Sequence, residues 1–306
     1  MARYAIGRLL QAVLVLWLLT VIVFAISRLS GSPVDLIVPL GAGPETRERL
    51  IEEFGLDEPL PTQYAKFLGN AVQGDFGQSI RFQAPALELV LDRLPATLKL
   101  AAAALVLAIL VGIPLGLLGA LMYRRRGDHA VTAFLTLGQA TPSFWLGILL
   151  ILFLGVELRW LPIAGDQGFE SLIMPAVALS IVPLVSIARL TRSSMIGVLR
   201  QDYIRTARSK GLRGRRVLYR HAMPNGLIPV VTIVGISLAE LVSGAVITEQ
   251  IFSWPGIGRL AVESINARDF PVVQAVTLVA AAAVVLTSVI VDFVYLALDP
   301  RIRESL

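Results

Sequence analysis

Side chains able to make or break bonds are scarce in this 306-residue chain, and that scarcity narrows its function first. There is no cysteine and there are only two histidines, His129 and His221. No disulfide, thiolate metal site or HExxH pair can be assembled, and no Walker A sequence supplies a phosphate loop. Two carboxylates stand out by their surroundings instead: Glu240 and Asp292 each interrupt a long apolar stretch. Insertion scales put a carboxylate at the centre of a membrane span at about 2.5–3.5 kcal/mol, so each must face protein or water rather than lipid. Two readings of Glu240 stand: it lines a pathway, or it makes an interhelical hydrogen bond. Asp292 lies nearer a span end, with Arg189 or Arg192 as pairing partners. A polytopic hydrolase would need a catalytic pair near a membrane face; the stretches hold no histidine, and the two carboxylates sit on different ones.

The elements that must position these residues follow from composition. The chain is 56% hydrophobic and only 16% charged, with mean hydropathy +0.74. A soluble domain carries about 25% charged residues, so this chain has too little polar surface to coat a globule of its size. A helix rising about 1.5 Å per residue crosses a hydrocarbon core of about 30 Å with roughly 20 apolar residues. Six stretches qualify: Leu9–Ile26, Leu100–Met122, Ala130–Val156, Leu172–Ala188, Gly226–Thr248 and Val272–Leu298. The first is too long for a signal h-region and lacks an A-x-A site, so it is taken as a retained anchor. The third is long enough to tilt or kink at Pro142. Pro175 and Pro183 in the fourth each remove a helix hydrogen bond and are expected as packing kinks. Gly112 and Gly116 form a GxxxG that permits close helix packing, though such matches are common.

Charge orients the spans. With the N-terminus inside, Arg3, Arg8, Arg124, Arg125, Arg126, the ten bases from Arg189 to Arg220, Arg301 and Arg303 all fall on the cytoplasmic side. The positive-inside bias therefore places both termini in the cytoplasm. The net charge of +5 is orientation charge, not a nucleic-acid signal. The chain divides into the N-terminus and first span (1–28), an outer segment (29–94), and a five-helix core (95–306) bearing an inner loop (189–225). The outer segment is expected as helical pieces opened by Pro44, Pro61 and Pro85, with a turn at Gly74-Asp75-Phe76-Gly77. In the inner loop Asp202 is placed to cap a helix and Gly211 to end it, and a second short helix is expected from Gly214 to His221. Trp145, Trp160 and Trp254 are expected as interfacial anchors.

The inner loop resembles the EAA loop of ABC-importer permeases, whose pattern is E-A-A-x3-G-x9-I-x-L-P. In register stand Arg205-Thr206-Ala207, Gly211, His221, Met223 and Pro224; Ala207, Gly211 and Pro224 match, and the others depart. The string from Asp202 to Leu212 and the run Arg220–Asn225 are similar to the variant found in the peptide/nickel branch. So are Gly74–Ser79, Glu249–Arg259, and Asp292-Phe293-Val294-Tyr295 through Arg301. The likeness covers nearly the whole chain, and the long outer segment is similar to the dipeptide-permease B type.

What the resemblance implies goes beyond the residues themselves. The fold would be the all-α, six-helix type I importer permease, multi-pass in a bacterial or archaeal cytoplasmic membrane. The chain would form half of a heterodimeric pore with a second permease, fed by an external binding protein and driven by two ATPase subunits that hold the ATP and Mg; it needs no cofactor, metal or catalytic residue of its own. Asp202, Tyr203, Ile204, Arg205, Thr206, Ala207, Arg208, Lys210, Gly211, His221 and Pro224 would form the ATPase-coupling loop, with Tyr203, Ile204 and Ala207 in the packing contact and Arg205, Arg208 and Lys210 adding charge pairing. Glu240, Glu249, Trp254, Pro255 and Gly256 would be pathway or gate residues, Glu240 meeting a peptide ammonium group. Di- or oligopeptide is the expected cargo; a nickel chelate, glutathione or an oligosaccharide is the alternative, and a self-sufficient secondary transporter or channel is a distant one.

Overall fold

A computed structural model describes residues 2–29 and 57–298, with side chains over 6–29 and 57–291. The helix expected after Pro44 and the side chain of Asp292 lie outside the described residues. These are helical apart from short links and one isolated antiparallel bridge, Gln78 to Pro85. They form two compact units, Ala2–Ala96 with Pro255–Ala283, and Thr97–Trp254 with the chain from Val284 onward.

In the first of these units, helix α1 (Ala2–Leu29) is followed by α2 (Leu60–Val72), with Pro61 in the first turn as expected. Phe24 of α1 meets Tyr64 of α2 edge-on at 5.5 Å and lies 5.7 Å from Phe67. The Thr20 hydroxyl bonds the Tyr64 hydroxyl at 2.8 Å. The turn at 74–77 is real: Gly74 and Gly77 take φ of +81° and +87°, and the Gly77 amide donates to the Asp75 carboxylate at 2.9 Å. Such left-handed positions admit glycine without steric penalty. Helix α3 (Ala86–Leu121) starts here; its Ala86 and Val90 pack with Ile257 and Leu260 of a later helix and with Val272 and Ala275 of the last. Ser79 Oγ donates to the fully buried Asp269 at 2.5 Å.

Helix α3 corrects one expectation. The piece opened by Pro85 and the second span are a single helix of 36 residues running through Pro95. Proline has no N–H to give the helix, but Leu91, whose carbonyl would lose that bond, is exposed.

The other unit is organised on α6 (Phe169–Leu199), whose Pro175 and Pro183 are both buried. The fourth span thus extends beyond Ala188, and Arg189 and Arg192 belong to the helix rather than to the inner loop. Before it come α4 (Arg126–Ala140) and α5 (Ser143–Leu150), the latter continuing as a π-helical turn, Ile151–Glu157. After it follow α7 (Asp202–Ser209), α8 (Gly214–Val217), a π-helical turn Leu218–Ala222, α9 (Met223–Gly226) and α10 (Ile228–Ile251). The last described helices are α11 (Ile257–Asn266) and α12 (Phe270–Leu298), which belong to the first unit as far as Ala283. The GxxxG is a close approach in fact. A Cβ on Gly112 would stand 2.9 Å from the Leu184 carbonyl, and one on Gly116 would overlap the Ala188 carbonyl and Thr191. Ala108, Leu135, Leu184, Ile187 and Val230 fill the core around this crossing.

Among the described residues five helices, α1, α3, α6, α10 and α12, are long and apolar enough to cross a membrane. The expected third span is not straight. It is the pair α4 and α5, bent by 96° at Thr141-Pro142. Thr141 takes the extended conformation that a following proline enforces, φ −87° and ψ 116°,. Its amide and hydroxyl both bond the Leu137 carbonyl, at 3.0 and 2.8 Å.

Candidate functional site

The inner-loop helix α7 is short, and its two faces differ sharply. Gln201, extended at φ −69° and ψ 151°, precedes it, so Asp202 is the first helical residue and not its cap. A carboxylate there still opposes the positive end of the helix dipole. Gly211 ends the segment in the left-handed region, φ +73°, with its amide on the Arg208 carbonyl at 3.0 Å. Ile204 and Ala207, three positions apart, are buried against Ala120, Met195, Val217 and Ala222. That overturns their assignment to a partner contact: spacing of three places both on the face that seats α7 on its own chain. The outward face presents Asp202, Tyr203, Arg205, Thr206, Arg208 and Lys210. Arg205 reaches Asp202 only at 3.9 Å, and pairs this exposed contribute little.

The rest of the loop braces that helix. The Tyr203 hydroxyl accepts from Asn225 Nδ2 at 3.2 Å, and the same amide donates to the His221 carbonyl at 3.0 Å. The second short helix expected over Gly214–His221 is instead α8 followed by a π-helical turn, with Val217 and Ala222 buried. Pro224 opens α9, exposed, where its missing N–H is not needed,.

The gate candidates behave differently. Glu249 is fully buried and accepts from the equally buried Thr97 hydroxyl at 2.6 Å. Its carbonyl accepts the Trp254 amide at 2.8 Å across a turn in which Ser253 takes φ +48°. Trp254 is itself fully buried, so it is no interfacial anchor; Trp145 and Trp160 are exposed, as that role requires. Lys99 Nζ stands 5.2 Å from the Trp254 ring centroid and binds both Asp166 oxygens, at 2.8 and 2.9 Å. Pro255 begins the other unit, and Gly256 precedes α11 in extended conformation. Glu240 is exposed on α10 and forms no hydrogen bond with a described residue, so the interhelical bond is not made within the described chain.

One ion pair escaped the sequence reading. Arg192 of α6 binds Asp128 of α4 through Nε at 2.7 Å and Nη2 at 2.8 Å, and Asp128 also accepts the Arg124 amide at 3.0 Å. The pairing expected of Asp292 with Arg189 or Arg192 lies outside the described side chains. Asp128 stands in the run Arg124-Arg125-Arg126-Gly127-Asp128, where a lone acid among bases was the available signal.

Comparison with known proteins places this geometry. A family model described as binding-protein-dependent transport system inner membrane component matches residues 112–304, and its N-terminal counterpart matches residues 1–101. The oligopeptide transport system permease AppB of Bacillus subtilis is 41% identical over 99% of this chain and 100% of its own length. The di/tripeptide permease DppB of Pseudomonas aeruginosa is 38% identical over 94% of each chain. The glutathione permease GsiC of Escherichia coli K12 is 38% identical over 99% of each. Among solved structures, an inward-facing MetNI methionine ABC transporter aligns with TM-score 0.55 at 17% identity, over 69% of this chain and 96% of that one. That last likeness speaks to fold alone. With two family models spanning nearly its full length, the chain belongs to the binding-protein-dependent transport system inner membrane components, the multi-pass permeases of ABC importers.

Proposed function

We propose that this permease imports di- or oligopeptides, forming half of a pore with a second permease, receiving cargo from an external binding protein and coupling through α7 to two ATPase subunits that hold ATP and Mg. The observation that carries the coupling role is the split of α7: Ile204 and Ala207 fix it to the permease, leaving Tyr203, Arg205, Thr206, Arg208 and Lys210 as a rigidly held polar surface. Such a surface suits a groove in a motor subunit, with the charges setting register. The inside position of both termini follows from the same positive charge. Glu240, exposed and without a described partner in mid-span, is assigned to the face toward the pathway or second permease. Glu249 and Trp254 are assigned to holding the turn that leads to Pro255 and Gly256. The named cargoes of AppB and DppB support peptide; that of GsiC keeps glutathione as the second reading.

The test is uptake by the reconstituted complex of permease pair, ATPases and binding protein in proteoliposomes. ATP-dependent accumulation of labelled di- and tripeptides is expected. Accumulation of glutathione alone would reassign the cargo. Arg205→Glu with Arg208→Glu should abolish uptake while leaving the chain in the membrane; normal ATP-coupled uptake by that variant would remove α7 from the coupling role.

A further inference from the structure

Where α3 leaves its apolar span, three guanidinium groups converge on one aromatic ring. The Cζ atoms of Arg200, Arg124 and Arg192 stand 5.0, 5.4 and 5.8 Å from the centroid of Tyr123. They come from two elements: Arg124 from the link between α3 and α4, and Arg192 and Arg200 from the end of α6 and the residue just after it. The arrangement is built, not incidental. Arg124 is held in the left-handed region at φ +64°, which non-glycine residues occupy at an energetic cost. Its amide is fixed there by Asp128, which also grips Arg192. Within the run from Tyr123 to His129, Asp128 is the one acid among Arg124, Arg125 and Arg126. No described carboxylate lies within ion-pair distance of Arg124 or Arg200.

Three exposed apolar residues immediately precede the cluster. Leu118 and Leu121 at the end of α3, and Met122 just after it, stand at spacings of three and four, which places them on one side,. An apolar stripe that ends in two guanidiniums with no carboxylate partner among the described residues, at a membrane boundary, matches one kind of molecule. We propose that Tyr123, Arg124 and Arg200 form a site for the phosphodiester of an anionic phospholipid, whose acyl chain lies along Leu118, Leu121 and Met122. Arginine binds phosphate oxygens in forked geometry, and the surplus positive charge disfavours a zwitterionic headgroup. The field is strong enough to act on Tyr123: hydrogen bonds from Arg124 and Arg200, and their charges, pull its hydroxyl below the ordinary tyrosine range.

Native mass spectrometry of the full transporter complex, released from nanodiscs of phosphatidylglycerol and phosphatidylcholine, tests the site. Wild type should retain phosphatidylglycerol over phosphatidylcholine. Arg124→Gln with Arg200→Gln should lower that preference by about tenfold or more, whereas the equal charge loss Arg215→Gln with Arg216→Gln should leave it. A second readout needs no destabilising change. The difference between wild type and Tyr123→Phe in absorbance at 295 nm follows ionisation of this one ring, and phosphatidylglycerol should move that ionisation to higher pH than phosphatidylcholine does, because a bound anion offsets the arginines. Equal retention of both lipids by wild type, unchanged preference in Arg124→Gln/Arg200→Gln, or an ionisation indifferent to lipid overturns the proposal. Displacement of the lipid by millimolar inorganic phosphate would assign the site to a soluble anion instead, and also overturns it.

Discussion

The inner helix α7 and the corner from Glu249 to Trp254 are both short and both sit at the ends of long helices, yet they use their residues in opposite ways. In α7 the apolar side chains turn inward and the charges face out. At the corner a carboxyl group and an indole are both fully buried, and the carboxyl accepts a hydrogen bond inside from Thr97. Polarity is therefore a poor guide to which residues meet a partner. The first region is a mounted surface; the second is a joint held by an internal hydrogen bond.

Substitutions can break or sharpen that contrast. The largest effect is expected for Ile204→Asp, which buries an unpaired charge under α7. Purified protein should lose the seated helix, seen as rapid proteolysis in the 202–225 segment, and all ATP-coupled uptake. Ile204→Ala should destabilise by about 2–5 kcal/mol, measured by thermal unfolding in detergent. Next comes Glu249→Leu, which removes the acceptor that the buried Thr97 hydroxyl bonds at 2.6 Å; a loss of about 1.5–3 kcal/mol is expected, with Glu249→Gln milder because an amide oxygen can still accept. Gly116→Val should be destabilising by about 1–3 kcal/mol through overpacking against Ala188 and Thr191. The smallest stability effect belongs to the outward face: Thr206→Ala should leave unfolding within about 0.5 kcal/mol of wild type while reducing uptake. If Thr206→Ala instead unfolded the chain, or Ile204→Ala were silent in stability, the contrast between mounted surface and joint would be wrong.

Much of the fold was legible where a local rule governs it. Pro61, Gly74, Gly77 and Gly211 mark their turns because proline and left-handed glycine have few alternatives. Apolar length located the spans, and the peptide-branch motifs located the loop. What stayed hidden depends on residues far apart in sequence. The face of Ile204 is decided by Met195, Val217 and Ala120. The burial of Glu249 is decided by Thr97, distant in the chain, and Asp128 finds Arg192 only after α4 and α6 pack. The union of the Pro85 piece with the second span also stayed hidden: α3 runs through Pro95, whose missing N–H frees only the carbonyl of the exposed Leu91,.

The corner at Thr141-Pro142 carries a consequence for the surroundings of the molecule. Hydrocarbon does not tolerate an interrupted helix along its flank, because backbone groups freed at the break find nothing to bond with there. Gln139 and Pro142 stand exposed beside the 96° bend, and Thr141 caps only the Leu137 carbonyl. Backbone freed at that bend calls for water or protein beside it rather than lipid. Because the chain contains no cysteine, a single thiol placed at Gln139 would be a background-free reporter, and its reaction with a water-soluble maleimide before and after assembly would map the boundary between oil, water and protein.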